Sequence, residues 1–222
     1  MGPLVFAMPP EPNRPRRLPA SEPPASVMSR LQRMSPGLLM LYFAMLAITI
    51  MFAILVASYV FNQLGHSTNR GLHPFPRYFS LSTLVLLASS YTVAQSRRLY
   101  LHDEVAALAR SLGATLLLAC LFAGLQVLGW RELQQQGIFF RGAAGGTYVY
   151  LISALHVAHL LGGMLFLLVL LLRAVAASRD AVRGLVYIRD PYQIRQLRLL
   201  TTYWHFVDVL WIMLFAVFLL LY

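Results

Sequence analysis

The sequence predicts an all-α integral membrane protein, a bundle of five transmembrane helices with a disordered N-terminal tail. The chain has 222 residues, of which 59% are hydrophobic, and its mean hydropathy is +0.65. It also contains five apolar runs of about 20 residues, the length that crosses the hydrocarbon core as a helix. The predicted spans cover approximately residues 37–61, 78–96, 108–130, 147–172 and 201–221.

The first span is preceded by a segment, residues 1–36, that is rich in proline and arginine and poor in aliphatic runs. Such a composition buries too little apolar surface to fold by itself, so we expect a disordered cytoplasmic tail. Residues 37–222 form the predicted transmembrane domain, and the connections between its spans are short. We therefore expect no separate soluble catalytic domain.

The net charge of +10 comes from 18 basic residues, all of them arginine. Fourteen arginines fall on one side of the predicted spans. The other side has only four: Arg70, Arg77, Arg131 and Arg141. Because positively charged connections stay in the cytoplasm, the asymmetry predicts a cytoplasmic N-terminus and an external C-terminus. We interpret the charge as a topology signal and expect no nucleic-acid partner.

The fifth span carries polar groups that are unfavourable in lipid. An Asp at the centre of a membrane helix is disfavoured by roughly 2.5–3.5 kcal/mol on insertion scales. Helical spacing puts Trp204, Asp208, Trp211 and Phe215 on one face, with His205 at its edge. We therefore expect this face to contact protein.

The fourth span combines a polar stripe with a small-residue stripe. His156, His159 and Gly163 fall on the first, at positions i, i+3 and i+7. The second stripe allows another helix to approach closely, which predicts that the span is buried on two sides. Its members are Ala154, Ala158 and Gly162.

The second span is rich in hydroxyl groups, which in membrane helices commonly form hydrogen bonds between helices. We expect that role for six residues: Ser80, Ser82, Thr83, Ser89, Ser90 and Thr92.

Two histidines and a carboxylate are a plausible set of metal ligands. From the predicted boundaries, His159 lies about 20 Å from the cytoplasmic end of its span and Asp208 about 10 Å from the cytoplasmic end of its own. We therefore expect the two groups at different levels and no metal site. Two roles remain open for these residues, a structural one in fixing helix register and proton transfer, and the structural role is favoured.

Three stretches together resemble subunit III of the haem-copper cytochrome c oxidases. The strongest is YWHFVDVLW at 203–211, which is similar to the motif of the family's last helix. Residues 148–163 resemble its histidine-containing helix, and residues 82–92 its hydroxyl-rich helix. The resemblance covers residues 37–222 and is closest to the short bacterial members with five spans.

The resemblance implies an accessory subunit without catalytic, metal or cofactor-binding residues, located in the bacterial plasma membrane. Haem and copper would lie on partner chains, among them catalytic subunit I. The chain would stabilise that subunit, support proton uptake and contact membrane lipid. In the longer family members a cleft also binds phospholipid, but its wall comes from two helices that this chain does not match. The candidate structural or proton-relay residues are His156, His159, His205, Asp208, Trp204 and Trp211.

Two acids of the family are absent from this sequence. The membrane-embedded Glu of the family's matching helix would fall at Ile48, although Phe52 and Tyr59 keep the frame. A second acid would fall at Gly129, between Gln126 and Trp130, which also match.

Two other classes of protein remain as alternatives. The first is a stand-alone membrane metalloenzyme that uses His156, His159, His205 and Asp208 as ligands. The second is a small proton-coupled transporter, for which we would expect an inverted repeat and helices broken by Gly or Pro. Neither feature is evident in the sequence.

Overall fold

The computed structural model describes residues 36–65, 77–138 and 144–221, and these residues are helical apart from short connections. The predicted tail, residues 1–36, lies outside the described residues except for Pro36, so its disorder stays a prediction. The helices are α1 (Pro36–Gly65), α2 (Arg77–Leu101), α3 (Val105–Gln135), α4 (Ala144–Ser178), α5 (Ala181–Arg189) and α6 (Pro191–Leu221).

Four of the described helices are long and apolar enough to cross a membrane. They are Pro36–Leu64, Val105–Gln135, Gly146–Ser178 and Pro191–Leu220. The helix predicted as the second span, α2, is present with 25 residues, but its hydroxyl groups and arginines make it less apolar than the others. The all-helical architecture is therefore confirmed for the described residues, and four of the helices qualify as candidate membrane spans by length and composition.

The last two long helices extend beyond the spans predicted for them, and the added length differs between the two. The last helix begins at Pro191 rather than 201, whereas α4 continues from 172 only to Ser178. The apolar run stops where charged residues start, but the helix does not, because arginine and glutamine are good helix formers. The short helix α5 was not predicted at all.

The packing places α2, α3, α4 and α6 around one core. Neighbouring pairs are α2 with α3, α3 with α4, α4 with α6, and α6 with α2, while α1 packs on the outside against α4 and α6. Most side chains of α1 are exposed, and its inward residues Phe52 and Tyr59 attach it to the core. The candidate site therefore lies where α4 and α6 meet α2 and α3.

A tyrosine fixes the end of α5 against the end of α2. The Tyr100 hydroxyl oxygen lies 3.0 Å from the carbonyl oxygen of Tyr187, 2.8 Å from that of Ile188 and 3.0 Å from that of Asp190. Its single proton is shared among these carbonyls, of which those of Tyr187 and Ile188 belong to the last turn of α5, where carbonyls lack intrahelical partners. At its other end α5 is capped by Asp180, whose Oδ1 accepts a hydrogen bond from the Val182 amide at 2.9 Å.

We expect the bundle to lose stability at alkaline pH through Tyr187. Burial raises the pKa of this phenol from 10.0 to about 12, and the adjacent Tyr100 phenol adds to the rise. The folded state thus holds a proton that the unfolded chain releases, so this stabilisation is complete below pH 10 and is lost as the pH rises through 12. Denaturant unfolding of the detergent-solubilised protein at a series of pH values measures the effect.

The matched variant is Tyr187→Phe. The Tyr187 hydroxyl has no hydrogen-bond partner within the described residues, so its removal leaves stability at neutral pH unchanged or slightly higher. The decline in the free energy of unfolding between pH 10 and 12 should become shallower in the variant. An identical decline in both proteins would contradict the assignment.

Candidate functional site

The aromatic and acidic face of α6 lies against α2. Trp204 Nε1 donates a hydrogen bond to Ser89 Oγ at 3.2 Å, and Trp211 Nε1 donates to Thr83 Oγ1 at 3.0 Å. Between these two anchors lies Asp208, which is only 3% exposed. The prediction that this face contacts protein is confirmed.

Hydroxyl groups of α2 form the predicted bonds to other helices. Ser90 Oγ and His205 Nδ1 are 2.8 Å apart, and Ser82 Oγ accepts a hydrogen bond from Gln126 Nε2 of α3 at 2.9 Å. Thr92 pairs with Thr115 of α3 at 2.8 Å between their hydroxyl oxygens. The prediction is confirmed for five of the six hydroxyls, the exception being the exposed Ser80.

His156 is enclosed by aromatic rings at the centre of the core. Its ring centroid lies 4.9 Å from that of Trp211, at a tilt of 35°, and 5.9 Å from the edge-on ring of Phe122. The side chain is fully buried, and neither ring nitrogen has a hydrogen-bond partner among the described residues. Such an imidazole packs as an aromatic ring, and its one N–H donor and one acceptor nitrogen both stay without a protein partner among the described residues.

His159, one turn further along α4, points elsewhere. Its Nδ1 lies 2.7 Å from the Leu155 carbonyl oxygen, so this nitrogen carries the proton in that hydrogen bond. Its ring contacts Phe52 of α1 edge-on, with centroids 5.7 Å apart. The His159 backbone carbonyl also accepts a hydrogen bond from the Tyr203 hydroxyl at 2.9 Å.

The expectation that the histidines and Asp208 lie at different depths was wrong. His156 contacts Trp211, and a Cβ on Gly163 would meet Tyr203 and Trp204, so the antiparallel register brings His159 and Asp208 to the same level. At 1.5 Å per residue, His159 lies about 29 Å from the end of α4 at Ser178, and Asp208 lies about 25 Å from the start of α6 at Pro191. The error arose because α6 begins ten residues before its apolar run.

Equal depth does not bring these side chains into one cluster. In the described part of the chain, no group of three or more His, Cys, Asp or Glu side chains is close enough to share a metal ion. His156 faces Trp211 and Phe122, His159 faces α1, and His205 pairs with Ser90. The geometry therefore does not favour the metalloenzyme alternative.

Asp208 and His156 are two titratable side chains buried at the meeting of these helices. Neither carboxylate oxygen of Asp208 meets a described partner in full hydrogen-bond geometry, although the Ser90 side chain lies near enough to interact with the carboxylate. In a low-dielectric core such a group is stable when it is neutral or hydrated. Asp208 and His156 are therefore buried titratable groups held in an apolar core, whereas the two tryptophans bond α6 to α2.

The small-residue stripe of α4 is not covered by this chain. Ala154, Ala158 and Gly162 are exposed, and a Cβ on Gly162 would have no neighbour within 4 Å. This chain alone therefore leaves that side of α4 uncovered, and its burial within an assembly stays a prediction. The close approach occurs one residue later, at Gly163, where a Cβ would lie 2.9 Å from Tyr203 Cε1.

Several residues that hold the site were not singled out from the sequence as contacts. Trp130 Nε1 donates to Ser153 Oγ at 2.9 Å, and the Tyr150 hydroxyl donates to the Ile138 carbonyl oxygen at 2.9 Å. Tyr150 also lies 3.1 Å from the Trp130 carbonyl oxygen. The presence of Trp and Tyr within apolar runs could have indicated these contacts, because a buried indole N–H or phenol O–H usually has a hydrogen-bond partner.

Comparison with known proteins decides among the alternatives. The family model of cytochrome c oxidase subunit III matches residues 37–222, nearly the whole described chain. The chain belongs to the cytochrome c oxidase subunit III family. It is therefore a subunit of a haem-copper oxidase, a multi-subunit membrane complex.

Curated relatives agree with this family. The chain is 30% identical over 174 residues to cytochrome c oxidase subunit 3 of Bacillus sp. (strain PS3), covering 76% of this chain and 78% of the relative. It is 27% identical over 176 residues to the Bacillus subtilis (strain 168) protein of the same name, with the same coverage. A probable cytochrome c oxidase subunit 3 of Mycobacterium bovis is 30% identical over 135 residues, 61% of this chain and 62% of that protein.

Little space surrounds Gly129, one of the two positions at which the resemblance would place an acid. A Cβ on Gly129 would lie 2.9 Å from Cε1 of Phe79, whose ring is buried against Trp211. A glutamate at this position would displace Phe79, so this subunit III packs an aromatic ring in the space beside the glycine. At Ile48 the side chain is partly buried against the core, and nothing in the structure explains the loss of the acid there.

Proposed function

We propose that this chain is an accessory, non-redox subunit III that stabilises catalytic subunit I of a bacterial oxidase and supports its proton uptake. Haem and copper would be held by the partner chains. The observation that carries the proposal is the pairing of polar groups across helices, because Trp204, Trp211 and His205 are each bonded to α2. These three polar side chains hold α6 against α2 within the bundle.

The proposal includes α2 as a fifth span. Its inward hydroxyls are paired with α3 and α6, while its outward side chains are large and apolar: Leu81, Leu84, Leu87 and Tyr91. A 25-residue helix is about 37 Å long at 1.5 Å per residue, enough for a bilayer core. Five spans and the distribution of arginines support a cytoplasmic N-terminus and an external C-terminus in the plasma membrane.

The exposed small-residue stripe of α4 supports docking against another subunit. Ala154, Ala158 and Gly162 offer lipid acyl chains little side-chain surface to contact, whereas another helix can pack closely on them. We place subunit I on this surface. Phospholipid would cover the apolar remainder of the bundle, such as the outward face of α1.

Support for proton uptake comes from Asp208 and His156. Both are buried, and they project from adjacent helices near the same depth. Intramembrane ionisable groups of this kind often take part in proton transfer. Asp208→Asn would remove the titratable group at nearly constant volume.

Affinity purification from native membranes tests the docking. The tagged chain should co-purify with a large haem-containing polypeptide, and Gly162→Leu should reduce that yield at least tenfold, because the new side chain blocks helix approach. Gly124→Leu on α3 is the matched control, since a Cβ there also has open space around it. Equal yields from both variants, or haem absorption from the isolated chain, would contradict the proposal.

A further inference from the structure

The short helix α5 has one face that holds it to the bundle. Gly184 approaches α4 so closely that a Cβ would lie 3.3 Å from the Ala177 carbonyl oxygen. Tyr187 is buried on the same side and packs edge-on against Tyr100, with ring centroids 5.9 Å apart. These contacts fix the rotation of α5 about its own axis.

The opposite face of α5 is apolar and uncovered. Val182, Leu185 and Val186 are 69%, 62% and 67% exposed, and they lie one turn apart on a single stripe. Arg189 continues that stripe at the C-terminal end. Three exposed aliphatic side chains on a nine-residue helix are unfavourable in water, and no other described part of the chain covers them.

The charge around this face is strongly positive. The segment from Arg173 to Arg198 contains six arginines and two acids, Asp180 and Asp190. Asp180 is already paired with Arg183 at 3.5 Å, a contact that exposure to water makes weak. An apolar stripe flanked by arginine is the composition of helices that lie on anionic bilayers.

The fold places α5 at the depth such a helix needs. It connects two helices long enough to span the membrane, and it lies beside Ala177 in the last turn of α4. Arg173 is the single charged residue in α4, so the apolar surface continues to Ala177 while the arginine head group extends to the boundary. Interfacial helices lie about 5–10 Å into the boundary between head groups and acyl chains.

We propose that α5 is an interfacial helix whose Val182–Leu185–Val186 stripe inserts into an anionic phospholipid surface, with Arg183 and Arg189 beside the lipid phosphates. The inference requires only that α4 and α6 span a membrane. It is therefore independent of the role proposed for the subunit in the oxidase.

Spin labels on the full chain in lipid nanodiscs test the insertion. In a Cys120→Ser background, labels would be placed by Val182→Cys and Val186→Cys, with His102→Cys as the matched control in an exposed connection. We expect the ratio of oxygen to nickel-complex accessibility to be several-fold higher at 182 and 186 than at 102. A ratio equal to that at 102 would overturn the proposal, as would labels shielded from both reagents, which would indicate a covering protein surface.

The lipid charge is tested with the same labels. Replacing part of the phosphatidylcholine with phosphatidylglycerol should increase the insertion depth of the label at 186. The double variant Arg183→Gln, Arg189→Gln should abolish that increase while the apolar insertion remains. No dependence on phosphatidylglycerol, or a dependence that survives the double substitution, would overturn the assignment of an anionic surface.

Discussion

Trp211→Ala is expected to lower the free energy of unfolding of the bundle by about 3–5 kcal/mol, the usual range for removing a buried large aromatic side chain. The indole ring is fully buried and contacts rings from α2, α3 and α4. The centroid distances are 6.2 Å to Phe79, 5.2 Å to Phe122 and 4.9 Å to His156. One ring thus joins α6 to three neighbouring helices, so its loss should weaken the whole core.

Denaturant unfolding in detergent, followed by circular dichroism, measures this loss. Met213→Ala is the matched control, because Met213 lies on the exposed side of α6. Trp211→Phe separates the two contributions of the side chain, since it keeps an aromatic ring but loses the bond to Thr83, worth about 0.6 kcal/mol in a membrane protein. If Trp211→Ala were no more destabilising than Met213→Ala, the described core would be wrong.

Gly163→Leu is also expected to destabilise the bundle, but by overpacking the core rather than by leaving a cavity. A Cβ at this position would lie 2.9 Å from the Tyr203 ring and 3.7 Å from Trp204, so a leucine forces α4 and α6 apart. Overpacking of this kind costs about 1–3 kcal/mol and sometimes more. The hydrogen bond from Tyr203 to the His159 carbonyl would break as well.

The adjacent glycine provides the control for this second substitution. Gly162→Leu meets no atom of this chain within 4 Å, so the isolated subunit should remain as stable as the wild type or become slightly more stable. Melting curves of the two purified variants should therefore differ, and only the Gly162 variant should fold normally yet fail to join the oxidase. Equal stability of the two variants would show that the register between α4 and α6 is wrong.

Helical periodicity explains why part of the site could be predicted from the sequence. The spacing of Trp204, Asp208 and Trp211 determines a common face whatever the helix packs against, and an aspartate requires that face to avoid lipid. The same reasoning assigned the hydroxyls of α2 to interhelical bonds. Both predictions depended only on local geometry and on the cost of exposing polar groups to lipid.

The level of each side chain along the bundle, and the residue it contacts on the neighbouring helix, could not be predicted from periodicity. The relative level of His159 and Asp208 depends on where each helix ends, and an apolar run does not mark that end when arginine continues the helix. The choice between Gly162 and Gly163 as the contact depends on how α4 is rotated against α6, and a pair of adjacent glycines fits either rotation. The nine residues of α5 were missed because a short helix between charged residues gives no long periodic signal.

The Tyr100 contact has a consequence for the order of events during biosynthesis. Its hydroxyl meets carbonyl oxygens up to 90 positions later in the chain. At the usual ribosomal rate of 5–20 residues per second, those acceptors are synthesised roughly 5–20 s after the tyrosine. Helices α2, α3 and α4 are therefore synthesised before this bond can form, so Tyr100 can join the start of α6 to α2 only late in the making of the chain.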